Sequence, residues 1–365
     1  MKESTSKSAV STELASSRRR WPMMAGAIIV GSFYLAAAFA DFLSPYDYRS
    51  LSRREPLAPP SALHFRDAEG RWHARPFVYA QRLVDSLERR YEEDRQRAYP
   101  LELFALGYSY KLFGLFAANR HLFGVRGAEA GGTPRVFLLG TDALGRDRLS
   151  RLLVASRFSL LVGPMGTLLA ALLGVAIGCC AGYAGRFFDI VLMRAADVMM
   201  ALPALVMILA ARAAFPLELP TARAATLLIC LFVALGWAEM ARLTRGLVLE
   251  LRARAFVTAA VSIGMSPLRV LLRHILPNAA RPLIVQTLLM LPAFLLSETA
   301  MSFLGVGLQE PDASWGSLLT AAADVALLDG GQAWQRYMLL TPAMAITLFV
   351  FGVRLIGEGM ERDGE

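Results

Sequence analysis

The sequence predicts an all-α membrane protein of six transmembrane helices, with a large external segment between the first helix and the second. Three observations predict it. Hydrophobic residues make up 55% of the 365 and mean hydropathy is +0.44, too apolar for a soluble chain of this length. The runs Trp21–Ala40 and Phe158–Ala184 carry no charge and reach the roughly 20 residues that a helix needs to cross the hydrocarbon core. Less uniform apolar runs at 189–211, 222–241, 283–304 and 337–357 complete the set.

Charge orients these spans. The net charge of +8 is almost all arginine, since the lysines are Lys2, Lys7 and Lys111. Arg18, Arg19 and Arg20 precede the first span, and Arg242, Arg245, Arg252, Arg254, Arg269, Arg273 and Arg281 crowd one loop. The positive-inside rule puts both segments, and with six spans both termini, on the cytoplasmic side. A basic chain can also bind nucleic acid, but arginines gathered at span ends fit membrane orientation, so no nucleic-acid partner is expected.

Residues 1–20 are polar, Ser-rich and basic, and read as a disordered cytoplasmic tail. Residues 21–44 hold the first helix. Arg18–Arg20, the apolar run and Ala38-Phe-Ala40 have the form of a signal peptide, yet the run is longer than a signal's apolar core, so it reads as a retained anchor. Residues 45–137 form the external segment, opening with Pro45, Pro56, Pro59 and Pro60. Within it Val78–Arg97 reads as a helix, with Val78, Leu83, Val84, Leu87 and Tyr91 among charges. Tyr99–Val125 is rich in aromatic residues, and Gly127–Thr133 is a connector. This segment is either a lid packing on the membrane surface or a dock for an extracellular partner. Residues 138–360 form the main transmembrane domain. It begins with Leu139-Gly-Thr-Asp-Ala-Leu-Gly-Arg-Asp147, where Thr141 or Asp142 can cap the second span.

Several chemistries are missing. No complete phosphate-binding loop is present, because such a loop needs a lysine at its end and none follows Lys111. No nucleophile elbow, His-Glu-x-x-His or Cys-x-x-Cys occurs. The histidines at 64, 73, 121 and 274 lack metal-ligand spacing, and the cysteines at 179, 180 and 230 all lie in spans. Neither a catalytic residue nor a metal site nor a cofactor of its own is therefore expected. Ionisable residues inside spans are costly and so informative. Arg194 with Asp197, and Glu239 with Arg242, have the spacing of helix-end ion pairs. Arg212 reads as snorkelling to the outer interface. Glu298 lies deep in the fifth span without a local partner in sequence. It either meets another helix or faces a polar cavity, and with Asp197 it is the candidate for a translocation path. Pro164, Pro203, Pro292 and Pro342 fall inside spans and bend them.

The loop 250–281 is unusual for a connection between spans. Ala253–Ile263 can form a helix with a small face at Ala255, Ala259 and Ala260. Gly264 can end it in the left-handed conformation. Ser266 and Pro267 can start a second helix as N-cap and first-turn residues. That helix has Leu268, Leu271 and Leu272 on one side and Arg269 and Arg273 on another, and Leu276-Pro277-Asn278 closes it. A loop this helical and this apolar has reason to exist where it meets a partner; an amphipathic helix lying on the membrane surface is the other reading.

Ala259, Ala260, Gly264, Leu276 and Pro277 reproduce the spacing of the "EAA" loop of ABC importer permeases. Arg194–Pro203, Arg273–Asn278, Ser297–Gly305 and Ser314-Trp-Gly316 also fit, in the expected order. Residues 138–358 thus resemble the C-type permease subunit of dipeptide/oligopeptide ABC importers. The resemblance implies a bacterial inner-membrane protein working with a second permease, two ATPase subunits that bind the ATP, and an extracytoplasmic solute-binding protein. It implies that Thr258, Ala259, Ala260, Gly264, Ser266, Pro267, Arg273, His274, Leu276 and Pro277 couple the chain to the ATPases. It implies peptide cargo, with nickel or peptide antibiotics carried by related members. Thr258 departs from the family pattern, standing where the acidic residue that names the loop is found. A stand-alone channel, a secondary transporter or a degenerate scaffold subunit remain the readings that would not need this loop.

Overall fold

The computed structural model describes residues 21–86, 89–125, 135–216, 219–305, 307–326 and 337–362; the tail 1–20 and the connector Gly127–Thr133 lie outside the described residues. Among the described residues, five helical runs are long and apolar enough to cross a membrane: Trp21–Ala38 (α1), Arg148–Tyr183, Thr221–Arg252, Pro267–Phe303 and Tyr337–Glu361. The expected third span is a pair of helices bent by 86°, and counting the pair as one span brings the number to six. The break falls at Leu202, which is extended, and Pro203. Proline has no N–H to continue the helix and disfavours helical backbone in the residue before it.

The chain divides into two compact units. The first comprises Met1–Gly31, Leu160–Glu298 and Leu348–Glu365. Its frame is a seam between α3 (Arg148–Tyr183) and α6 (Thr221–Arg252). Gly166, Ala170, Gly174, Gly178 and Gly182 recur every fourth residue on α3, so they line one face. A Cβ placed on these glycines would strike Phe232, Met240, the Ala241 carbonyl or Val248 of α6. Small residues at this spacing let two backbones approach where apolar burial gives no driving force. Gly26 of α1, with Gly352 and Gly359 of the last helix, makes a second close crossing of the same kind.

Between these helices run α4 (Arg186–Ala201) and α5 (Ala204–Ala213). Two ion pairs tie α4 to α6, Asp189 with Arg245 and Asp197 with Arg242. The expected pair Glu239–Arg242 is not formed. Arg242 reaches across to α4, and Glu239 instead accepts a hydrogen bond from Gln286 Nε2 at 2.7 Å. Arg194 keeps only a 3.9 Å approach to Asp197. Arg212 is buried and donates to the carbonyls of Phe215 and Pro216, just beyond the end of α5.

The second unit comprises Ser32–Ser159 and Thr299–Thr347. After α2 (Ala40–Leu43) it holds a four-stranded antiparallel sheet in the order β1 (His64–Arg66), β2 (Trp72–Asp85), β3 (Arg90–Leu112), β4 (Phe116–Val125). The expected helix over Val78–Arg97 is therefore two strands. Phe77, Val78 and Tyr79 are buried in succession, as in a strand covered on both faces. The register sets opposite charges across the ladder, with Arg82 opposite Glu92.

The loop before α3 is a compact clasp. Neither Thr141 nor Asp142 caps the helix. Thr141 Oγ1 donates to the Glu55 carbonyl and accepts from Ala58 N. The cap is Asp147, whose Oδ2 accepts from the amide and the hydroxyl of Ser150. Asp142 binds Arg146, and Arg146 and Arg151 both bind Glu310. Burial works against ionisation of Glu310, but the bond from Arg146 and the charge of Arg151 outweigh it and hold the carboxyl below its ordinary value. The segment between the apolar runs 283–304 and 337–357 contains α10 (Trp315–Ala326). Its Trp315 is fully buried and donates from Nε1 to Ser156 Oγ at 3.0 Å.

Gly178→Val wedges the α3–α6 seam and should cost about 1–3 kcal/mol. Gly246→Ala, with open space around its Cα, should change stability by less than about 1 kcal/mol in the favourable direction. Thermal unfolding of the detergent-solubilised protein measures both. Glu310→Gln leaves Arg151, 1% exposed, with only the 3.7 Å approach of Asp142 and should cost about 2 kcal/mol after discounting for the half-exposed glutamate. Because the folded pKa is depressed, the contribution is present at neutral pH and lost as pH falls through it. The gap between wild type and variant should therefore close on acidification.

Candidate functional site

Two features of the first unit are candidates for function: the element between α6 and the next span, and a cavity among the helices. α6 ends at Arg252, and Arg254, extended, turns the chain into α7 (Ala255–Ser262). After α7, Gly264 adopts φ +81°, while Gly264 N bonds Val261 O and Met265 N bonds Ala260 O. That pairing is a helix stop satisfied by a left-handed glycine. No atom crowds Gly264, so its role lies in the backbone alone. Ser266 is extended and Pro267 opens the next helix, although the Ser266 hydroxyl makes no cap bond.

The second helix does not stop at Leu276-Pro277-Asn278. α8 (Pro267–Val270) passes through a π turn at Leu271–Ile275 into α9 (Leu276–Phe303), giving one run from Pro267 to Phe303. Pro277 has no N–H for the carbonyl one turn back, and its ring crowds that carbonyl. Widening the turn by one residue removes the conflict. Asn278 Nδ2 then donates to the His274 carbonyl at 2.6 Å.

One side of this element is anchored. Val257, Ala260, Val270 and Ile275 are buried with Cys179 of α3 and Val248 of α6. The other side is bare: Phe256, Val261, Ile263, Leu268 and Leu272 are exposed, Ile263 by 79%. Of the expected small face, Ala255 and Ala259 point outward and Ala260 points inward, because the three cannot share a face once Val257 and Ala260 fix the rotation of α7. Thr258 is exposed, its hydroxyl donating to the Arg254 carbonyl at 3.3 Å. Ser266, Pro267, Arg273 and Pro277 are exposed, whereas His274 and Leu276 are half-buried.

The cavity has a volume of about 490 Å³ and is lined by α4, α5, α6 and α9. Its wall is apolar and methionine-rich, and its polar groups are Glu239, Gln286 and Ser297. Glu298 is not among the lining residues; it is fully buried. Asp197 is half-exposed, engaged with Arg242, and also does not line the cavity. Sequence reading singled out Glu298 as an ionisable residue deep in the fifth span and missed Ser297 beside it. Gln286 follows Glu239 in no sequence pattern, so only the packing of α6 on α9 joins them. Among the described residues no three His, Cys, Asp or Glu side chains are placed to hold a metal ion.

Phe294 packs its ring on Phe232, with centroids 5.0 Å apart, and lies directly over Gly236. A methyl group at 236 would displace that ring. Gly236→Ala should destabilise the protein by about 1–3 kcal/mol, and Phe294→Leu in the same chain should recover part of the loss. Equal melting temperatures for the single and double variants would contradict this packing.

Residues 174–362 match the family described as "Binding-protein-dependent transport system inner membrane component". Residues 18–60 match "N-terminal TM domain of oligopeptide transport permease C". The chain is 35% identical over 222 residues to the dipeptide transport system permease protein DppC of Bacillus subtilis (strain 168), covering 61% of this chain and 66% of that one. It is 34% identical over 223 residues to the oligopeptide transport system permease protein OppC of the same organism, covering 60% and 68%. It is 36% identical over 230 residues to the di/tripeptide transport system permease protein DppC of Pseudomonas aeruginosa (strain UCBPP-PA14), covering 63% and 72%. The match spans about two thirds of the length of these relatives. With a family match over more than half its length and an N-terminal span of the permease C type, the chain belongs to the binding-protein-dependent transport system inner membrane components.

Proposed function

We propose that this chain is the C-type permease subunit of an ATP-driven ABC importer and that its cargo is peptides. The observation that carries the reading is the element at 255–275, anchored on α3 and α6 by one face and presenting five large apolar side chains on the other. A surface of that kind on a rigid helical element suits a groove on a cytoplasmic ATPase. Family membership and the names of the relatives, which are dipeptide, oligopeptide and di/tripeptide permeases, support peptide cargo. Two ATPase subunits bind the ATP, and this chain takes no cofactor and carries out no covalent chemistry. A second permease completes the translocation path, and an extracytoplasmic binding protein delivers cargo. The protein sits in the bacterial inner membrane with both termini in the cytoplasm.

In this assembly Phe256, Ile263, Leu268 and Leu272 make the ATPase contact, with Thr258 and Ala259 at its edge. Gly264 sets the angle between the two short helices. The cavity beside Glu239 and Gln286 is this chain's half of the path, and its methionines give it an adaptable wall suited to varied side chains.

Ile263→Asp with Leu268→Asp places charge on the exposed face and leaves the buried anchor intact. The variant should fold and insert, yet lose co-purifying P-loop ATPases in mild detergent and reduce ATP-dependent peptide uptake by roughly tenfold or more. Unchanged uptake and ATPase recovery would contradict the docking role.

A further inference from the structure

We infer that the β3–β4 hairpin of the second unit is a lipid anchor, dipping its tip into the membrane leaflet at the C-terminal end of α1. The turn joining the strands is Leu112-Phe113-Gly114-Leu115, closed by Leu115 N to Leu112 O at 3.1 Å. Phe113 and Gly114 have φ of 53° and 72°, the two left-handed positions of a tight hairpin turn. Turns of this type facing water favour Asn-Gly or Asp-Gly, which tolerate that backbone and are hydrated. Here a phenylalanine holds the unfavourable conformation. Phe113, Leu115 and Phe116 form an apolar apex that is 55%, 79% and 66% exposed. Leu103, Phe104 and Leu106 extend the exposed apolar surface along β3.

What covers this apex follows from where the unit holds it. Eighteen residues of α1 up to Ala38 pass the length and hydropathy tests for a span. At 1.5 Å per residue they measure about 27 Å, close to the thickness of the hydrocarbon core. Residues just beyond Ala38 therefore lie at the membrane interface. The Phe113 ring meets Phe39 edge to face at 5.4 Å, and Phe104 lies 6.2 Å from Phe42. The buried His121 ring fixes the hairpin there, with Nδ1 2.9 Å from the Asp41 carbonyl and Nε2 3.0 Å from that of Tyr108. The apex is thus continuous with the bare apolar side of the helix end, where Leu35 is also exposed. Lys111 and Arg120, exposed on the strands behind the apex, are placed to reach phosphate headgroups. Apolar side chains backed by cations at interface depth are what an interfacial lipid contact requires.

The test places a nitroxide at Leu115→Cys in the full chain carrying Cys179→Ala, Cys180→Ala and Cys230→Ala. The protein is reconstituted in nanodiscs of phosphatidylethanolamine and phosphatidylglycerol. Collision with oxygen, which partitions into lipid, is compared with collision with a water-soluble nickel chelate. Glu69→Cys on the exposed β1–β2 turn is the aqueous reference. An oxygen-to-nickel ratio at 115 at least tenfold above that at 69 is expected, and the label at Phe116→Cys should give the same result. A ratio equal to that at 69 puts the hairpin in water and overturns the inference. Exclusion of both reagents means a protein partner or a second copy covers the apex, and overturns it equally.

Discussion

The contact on which the first unit depends is the seam of small residues between α3 and α6. In lipid, helices gain nothing from burying apolar surface against each other, so association rests on close packing and on backbone approach. Glycines at 166, 174, 178 and 182 allow that approach along the length of the seam. The seam fixes α6, and α6 carries both functional features. Its middle supplies Phe232, Leu235, Gly236 and Glu239 to the cavity wall. Its end supplies Val248 to the cluster that anchors α7. The ion pairs from Asp189 and Asp197 then hang α4 on the same helix. A shift of α6 against α3 would therefore disturb cavity and docking element together.

The π turn at Leu271–Ile275 gives the docking element its mechanical character. A helix that stopped at Leu276 would end in a joint, and force applied at Leu268 or Leu272 would dissipate there. The continuous run to Phe303 instead links those exposed leucines to Gln286, Met290 and Phe294 in the cavity wall. Packed helices move as rigid bodies, so displacement at one end is delivered at the other. The widened turn resolves the proline conflict without breaking this link. On the importer reading, that run is the lever between ATPase and cargo path.

Local chemistry was legible in the sequence wherever one residue type decides a backbone state. Gly264 and Pro267 were placed by conformation alone, and both stand where expected. The long apolar runs gave the spans for the same reason: lipid leaves the backbone no alternative to a helix. Outside the membrane that constraint lapses. Val78–Arg97 has a spacing compatible with a helix, and its strand identity comes from cross-strand partners such as Glu92 opposite Arg82, which no local window contains. Charge pairing failed in the same way. Glu239 and Arg242 have helix spacing, yet each found a better partner on another helix. The stop expected at Leu276 failed because a proline near a helix start can be absorbed by a π turn as well as by a break.

The orientation of α7 bears on the departure at Thr258. Val257 and Ala260 face the bundle, so Thr258 and Ala259 face outward. An acidic residue at 258 would present a charge to whatever docks there. The threonine turns its hydroxyl back onto the Arg254 carbonyl, and Arg254 is in turn held by Glu250 at 2.7 Å. What remains at the contact edge is a neutral, nearly apolar side chain, continuous with Phe256 and Val261. On the importer reading, the docking surface is thereby shifted from one anchored by a charge to one anchored by shape and apolar area. On the importer reading, such a surface would select its partner through groove complementarity, with the exposed Arg269 and Arg273 beside it.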